Sequence, residues 1–379
     1  MGNGAIAVYG ATGFTGTLVA HELRRREIDC VLAGRDAAKL ARLAERLGGG
    51  VSTHAVELED RDGLRHLLGD RAVVIDCAGP FMRWGEPVAR AAVETGTHYV
   101  DTTGEQSYVE LLHRRFGDAA RAAEVAVIPA AGFDYLPGDM IATLAAEAAI
   151  ADATTAAADA TAPAPLRELT IAYATSGVRP TRGTTRTVLE QARDGGLVYR
   201  DGDWRPAPLR VRRARFDFPA PLGSQPVTRY PSGEVAIVPR HIPTERLNTL
   251  MTVETLAGDR RLAPLVPLLM PAFALALRTP LAGLLHAGVD RLREGPSEAQ
   301  RAAESFTVAA VAEAADGRRR AGVVRGGDVY GTTAATIVEA AVRMAAPEFS
   351  ARGVLAPGEA FDPASFLDAV GLSWELEPA

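Results

Sequence analysis

The sequence predicts an α/β protein: a doubly wound parallel sheet, then a second α+β domain built on a mostly antiparallel sheet. Three observations predict it. Short apolar runs alternate with helical patterns up to about residue 130, and a glycine-rich turn joins the first run to the first helix. Beyond about residue 165 the alternation gives way to strand-like runs separated by turns.

Residues 5–9 are apolar and rich in strand formers, as a buried parallel strand requires. Val8-Tyr9-Gly10-Ala11-Thr12-Gly13-Phe14-Thr15-Gly16 follows, and then Leu18, Val19 and Leu23 fall at helical spacing over 17–23. Strand, glycine turn and helix make a Rossmann-like unit. In it Gly10 permits the tight turn, Gly13 lets a pyrophosphate approach the main chain, and Gly16 lets the helix pack closely. The helix N-terminus supplies free N–H groups and a partial positive charge. The spacing is G-x-x-G-x-x-G rather than the usual G-x-G-x-x-G, so the glycines alone also fit a turn that holds no ligand. The second strand, 30–33, adds to them. It ends in Gly34-Arg35-Asp36, about 20 residues on, where a residue that reads the ribose belongs. An acid there takes a ribose hydroxyl of NAD, whereas a guanidinium pairs with the extra phosphate of NADP. Arg35 comes first, with Lys39 one helical turn on and Asp36 as a complication, so the expected cofactor is NADPH.

Residues 51–58 read as a third strand, 61–68 as a helix, and 72–77 as a fourth strand running into Ala78-Gly79-Pro80-Phe81. A helix over 87–95 leads to a fifth strand, 97–101, ending in Thr102-Thr103-Gly104-Glu105. A helix over 106–124 leads to a sixth strand, 125–129. Ligands of such sheets bind beyond the carboxyl ends of the strands, so the turns 10–16, 77–81, 101–105 and 132–139 converge on one crevice. The cofactor is expected against Gly10, Thr12, Gly13, Phe14, Thr15, Gly16, Arg35, Lys39, Cys77, Ala78, Gly79, Pro80, Thr103 and Gly104.

The 379 residues suffice for two domains with sizeable cores, and a net charge of −6 gives no footprint for nucleic acid. The two cysteines, Cys30 and Cys77, sit in apolar runs without C-x-x-C spacing, which fits a reducing cytoplasm. Lys39 is the sole lysine among 41 basic residues, so a catalytic lysine elsewhere is excluded. No His pair at metal-ligand spacing, no G-x-S-x-G and no Gly-Lys-Ser/Thr loop is present, and no metal is expected.

Five motifs, GATGFTG, AGRDAAKL, CAGPFMRWGEPV, GTHYVDTTGE and GFDYLPGD, resemble in order and spacing those of the saccharopine dehydrogenase-like oxidoreductases. Within them the chain looks most like the bacterial branch that includes trans-acting enoyl reductases. The resemblance is close to about residue 140 and looser beyond, where Gly183-Thr184 looks like the family's helix start and GGDVYGTTAATIVEAAVRM like its returning helix. It implies an NADPH-dependent reductase without naming the substrate; the expected reaction is hydride transfer to an activated C=C bond of an acyl substrate in lipid or secondary metabolism. Reduction of an imine, or a non-catalytic NADP sensor, are the alternatives. By this pattern residues 1–150 form the dinucleotide-binding domain, completed by 328–379, and 151–327 form a substrate and dimerisation domain.

In the second region, 169–175, 209–218, 234–239, 304–313 and 321–325 read as strands, 184–193 and 332–345 as helices. The uncharged run 262–277, broken by three prolines, is shorter than the roughly 20 residues that span a bilayer. It fits a core or homodimer contact, an acyl-pocket wall or peripheral membrane contact. The alternating arginines of LRVRRARFDF fit a strand with one solvated face, or docking of an acidic acyl carrier protein. Tyr230 in RYPSG reads as a structural turn. Hydride transfer needs a group to manage charge on the neighbouring atom. Near the crevice Tyr135 and Asp101 are the candidates for catalysis, and Glu105, Asp134, Arg182, Thr184 and Arg186 for substrate contact.

Overall fold

In the computed structural model of the chain, residues 6–156, 165–208, 214–257, 279, 288–289 and 294–378 are described. The chain divides into two compact units, Met1–Leu136 with Tyr330–Ala360, and Pro137–Val329 with Phe361–Ala379.

The first unit holds strands β1 (Ile6–Tyr9), β2 (Cys30–Gly34), β3 (Ser52–Ala55), β4 (Val73–Asp76), β5 (His98–Asp101) and β6 (Ala126–Ile128). With Gly353–Val354 they form a parallel seven-stranded sheet in the order Gly353–Val354, β6, β5, β4, β1, β2, β3. The connecting helices are α1 (Phe14–Arg25), α2 (Ala37–Arg46), α3 (Arg61–Leu68), α4 (Phe81–Thr95) and α5 (Gln106–Ala122). From β1 the chain winds outward through β2 and β3, then returns to start β4 on the other side of β1. That reversal makes the β1–β4 boundary the switch point, where ligands of open α/β sheets bind. Strands β1, β2 and β4 are buried along their whole length, which is why they read as continuous apolar runs. Edge strand β3 is mostly exposed and shorter than its apolar flanks suggest.

Helix α4 begins six residues before the expected start at Pro87, which lies inside it. Proline favours a first turn, but here the first turn is anchored from outside, by the Glu105 carboxylate on the N–H groups of Phe81 and Met82.

The second unit contains α6 (Leu136–Ala156) from Pro137 onward, α7 (Arg182–Asp194) and strands β7 (Glu168–Ser176), β8 (Leu197–Arg200), β9 (Asp203–Pro206), β10 (Ala214–Phe218), β11 (Gly223–Arg229), β12 (Arg246–Thr252), β13 (Ser305–Glu313) and β14 (Arg319–Gly327). Its sheet runs β10, β11, β12, β7, β13, β14, Ser373–Pro378, with β8 on β12 and β9 on β8. Among the described residues only the β12–β7 pairing is parallel, so the sheet is mostly antiparallel.

Several expectations change. Residues 234–239 are not a strand: Glu234–Ile237 is a helical turn continued by a 3₁₀ turn, Val238–Arg240. Residues 234–238 are all buried, so their apolarity did not separate helix from strand, and the Gly233 carbonyl accepts the N–H groups of Ala236 and Ile237. The division between units falls at 136/137 rather than 150, and 361–379 joins the second unit because Ser373–Pro378 pairs with β14. Only 214–218 of the expected strand 209–218 is described, as β10, and the run 262–277 lies outside the described residues.

Candidate functional site

The site is built from turns at the carboxyl ends of β1, β2, β4, β5 and β6. Gly10 has φ +75, and a Cβ there would lie 2.9 Å from the Cys77 carbonyl carbon and the Ala78 nitrogen. The two turns flanking the switch point therefore touch through a missing side chain. A Cβ at Gly16 would strike the Gly10 oxygen and Ala11 Cα, so α1 packs on the turn's own backbone rather than on the strand face. At Gly13, by contrast, a Cβ would touch only the Gly10 oxygen, at 3.4 Å. Gly13 is also the N-cap of α1 and no side chain caps that helix. Open space over an uncapped helix N-terminus fits a pyrophosphate. Thr12, Phe14 and Thr15 are half-buried around it, the Phe14 ring lying edge-on to Tyr330, 5.2 Å between centroids.

After β2, Arg35 is exposed and Asp36 is otherwise engaged: its carboxylate accepts the Lys39 N–H at 3.0 Å and caps α2. That capping occupies one oxygen of the acid at the ribose position, while Arg35 stays exposed at the end of β2. Lys39 is exposed on α2, its Nζ 3.8 Å from Asp36. Cys77, Ala78 and Gly79 are half-buried, Pro80 buried, and Thr103 and Gly104 lie buried in the β5 turn.

The expected catalytic and substrate residues take different places. Glu105 is 2% exposed, and its two oxygens accept the N–H groups of Phe81 at 2.7 Å and Met82 at 3.0 Å. It is a cap that ties the β4 turn to the β5 turn, not an open carboxylate for substrate. Glu105→Gln leaves one N–H facing an amide NH₂, and is expected to lower the stability of the first unit by about 1–3 kcal/mol, read as a fall in Tm.

Tyr135 is buried and its hydroxyl donates to the Gly104 carbonyl at 2.5 Å, fastening the loop after β6 to the β5 turn. This bond gives Tyr135 a positioning place rather than the expected donor's place. Asp101 is likewise sealed from water: Oδ1 accepts the N–H groups of Thr103 at 2.8 Å and Ala130 at 3.0 Å. Beside it in register stands Asp76, also fully buried, accepting the Ala78 N–H at 2.9 Å and the Tyr99 hydroxyl at 3.2 Å. Burial pushes the pKa of Asp76 up to about 8 and that of Asp101 up to about 7.

Of the crevice candidates only Asp134 keeps an exposed side chain. Desolvation by the surrounding protein pushes its pKa up to about 6. The loop carrying it is pinned by Thr333, whose hydroxyl accepts the Phe133 N–H at 3.1 Å, and by Thr336, whose hydroxyl donates to the Ala131 carbonyl at 2.8 Å. His98 lies at the opposite end of β5, where Nδ1 accepts the Ala126 N–H at 2.9 Å.

Arg182, Thr184 and Arg186 belong to the second unit, in the first turns of α7. Thr181 caps that helix, accepting the Thr184 N–H at 3.0 Å. Tyr230 is held in its turn by its N–H on the Thr249 carbonyl, 2.9 Å, as a structural residue.

Asp76, Tyr99, Tyr108 and Thr333 were missed as site residues. One signal was present: the apolar strands Val73-Val74-Ile75-Asp76 and His98-Tyr99-Val100-Asp101 both end in an aspartate at the same edge.

Residues 6–128 match the family model described as the saccharopine dehydrogenase NADP binding domain. A Bos taurus protein named saccharopine dehydrogenase-like oxidoreductase is 31% identical over 152 residues, covering 36% of this chain and 35% of that protein. A Mycobacterium tuberculosis protein named as a trans-acting enoyl reductase is 33% identical over 144 residues, covering 36% and 33%. The matched part is thus about a third of each curated relative. Apo saccharopine dehydrogenase (L-Glu forming) from Saccharomyces cerevisiae shares the fold, with a TM-score of 0.64 over 99% of both chains at 15% identity. Residues 6–128, whose glycine turn, uncapped α1 and exposed Arg35 suit a phosphorylated dinucleotide, are thus similar to the NADP binding domain of saccharopine dehydrogenases, and that similarity points to NADP(H) as the cofactor.

Proposed function

We propose that this chain is an NADPH-dependent oxidoreductase that reduces the activated C=C bond of a small-molecule or carrier-bound acyl thioester. One observation carries the choice of substrate. In the first unit Met82 and Trp84, 41% and 40% exposed, are the most open large apolar side chains among the described residues. Both lie on the first turn of α4, directly after the β4 turn at the switch point, and as i and i+2 they point to different sides, so an apolar acyl chain passing there would pack on one of them. The name of the M. tuberculosis relative supports the same reading.

When bound, NADPH supplies a hydride to the β-carbon of the substrate. The π electrons then move to the thioester oxygen, and the α-carbon takes a proton. Asp134 is the group proposed to hold that proton, becoming a carboxylate as it gives it up. Arg182, Thr184 and Arg186 are proposed as substrate contacts of the second unit. No helix among the described residues is long and apolar enough to cross a membrane. Acyl carrier protein remains a proposed partner that would present the thioester.

The test is loss of NADPH absorbance with an α,β-unsaturated acyl thioester in one cuvette, and an aldehyde or keto acid plus amine in another. Oxidation with the thioester supports the proposal. Oxidation only with the amine mixture replaces it with imine reduction, and tight NADPH binding without turnover in either points to a sensor.

A further inference from the structure

Beneath the cofactor turns, Asp76 and Asp101 face each other as register partners on adjacent parallel strands, both 0% exposed. Each uses Oδ1 to hold a turn: Asp76 through the Ala78 N–H, Asp101 through the N–H groups of Thr103 and Ala130. Oδ2 of Asp101 has no hydrogen-bond partner among the described residues. The groups facing Asp76 are Tyr9 on β1, Cys77, Tyr99 and Asp101 on β5, and Tyr108 on α5. Those facing Asp101 are Asp76, Cys77, Tyr99, Tyr108 and Glu105. None is a cation. Tyr99 donates to Asp76 and shares a 3.0 Å hydrogen bond with Tyr108, whose hydroxyl lies 2.5 Å from where a Cβ at Gly85 would be.

Two carboxylates cannot both be ionised in so dry a place without a compensating charge. We propose that Asp76 and Asp101 are a positioning pair that holds the turns 77–80 and 102–105 in their cofactor-binding form only while the pair retains a proton. Ionisation of both would set two anions side by side, and the relief available is for the turns to open and admit water. Cofactor affinity then falls on the alkaline side although neither carboxyl touches the cofactor. The role rests on the reading of these turns as the NADPH site.

The sign follows from linkage. Both acids have folded pKa values above their unfolded ones, so their contribution is lost as pH rises from about 4 towards about 8. Two readouts test the pair: thermal stability of the protein without cofactor from pH 5 to 8, and the Kd for NADPH from pH 7 to 9, where the cofactor's own phosphate is already ionised. Wild type is expected to lose stability across the first range and to bind about tenfold more weakly at the top of the second. Asp76→Asn, which keeps an acceptor for Ala78 and cannot ionise, is expected to flatten the Kd profile and make the stability slope shallower. Glu234, buried in the second unit with its pKa up at about 8, titrates in both proteins, so the difference between them is what counts. Tyr99→Phe removes a hydrogen bond that favours ionised Asp76, so the alkaline loss moves to higher pH.

Equal slopes in wild type and Asp76→Asn, or no upward move in Tyr99→Phe, overturn the proposal. Should Asp76→Asn fail to fold, Tyr99→Phe decides. If wild type binds no NADPH at any pH, the cofactor reading fails instead, and the stability slopes still decide whether the pair holds its proton.

Discussion

Asp134→Asn is expected to lower turnover of the acyl thioester by about 100-fold or more, the lower range for loss of a general acid, while NADPH still binds. The reason is positional. Of the four acids and phenols that the sequence offers as candidates, Glu105 is spent on two α4 N–H groups, Tyr135 on the Gly104 carbonyl and Asp101 on two backbone N–H groups. Asp134 alone is exposed, with its pKa raised to about 6 by desolvation. The protonated form gives the proton, so wild-type turnover is expected to decline as pH climbs past about 6. In Asp134→Asn that decline disappears along with most of the rate. A variant with wild-type turnover and the same pH profile would remove Asp134 from the chemistry.

Arg35→Ala is expected to weaken NADPH by about 1.5–3 kcal/mol, roughly 10- to 150-fold in Kd, and to leave NADH nearly untouched. Only NADPH carries the 2′-phosphate, and Arg35 is exposed at the carboxyl end of β2, where the adenosine ribose lies in this fold. Asp36 has one oxygen occupied in capping α2 through the Lys39 N–H. Titration of both cofactors against both proteins separates this from a general loss of the site: equal weakening of NADH and NADPH would mean that Arg35 does not read the phosphate.

What the sequence made legible was whatever depends on local pattern. The first sheet was readable because each buried strand is a short apolar run ending at a turn, and the glycine turn could be placed because 10, 13 and 16 fall between a strand and a helix. Arg35 followed from its distance to those glycines. What stayed hidden depends on partners far along the chain. Glu105 looked like a free acid until Phe81 and Met82, more than 20 residues earlier, were found to donate to it. Asp36 complicated the reading of Arg35 because capping and ribose binding use the same residue type at the same place. The buried run from Glu234 gave no period by which to tell a helical turn from a strand. Asp76 passed as the polar end of an apolar strand, because its neighbour across the sheet, Asp101, is set by strand order rather than by sequence.

The most direct test of the central claim is to run the reduction with NADPH deuterated at the transferable position of the nicotinamide, and to locate the label in the product. The account predicts one deuterium at the β-carbon of the saturated acyl thioester, with the α-carbon hydrogen coming from solvent-exchangeable protons. A saturated product without deuterium, or labelled NADPH that is consumed only when an amine and a carbonyl are supplied, would contradict it.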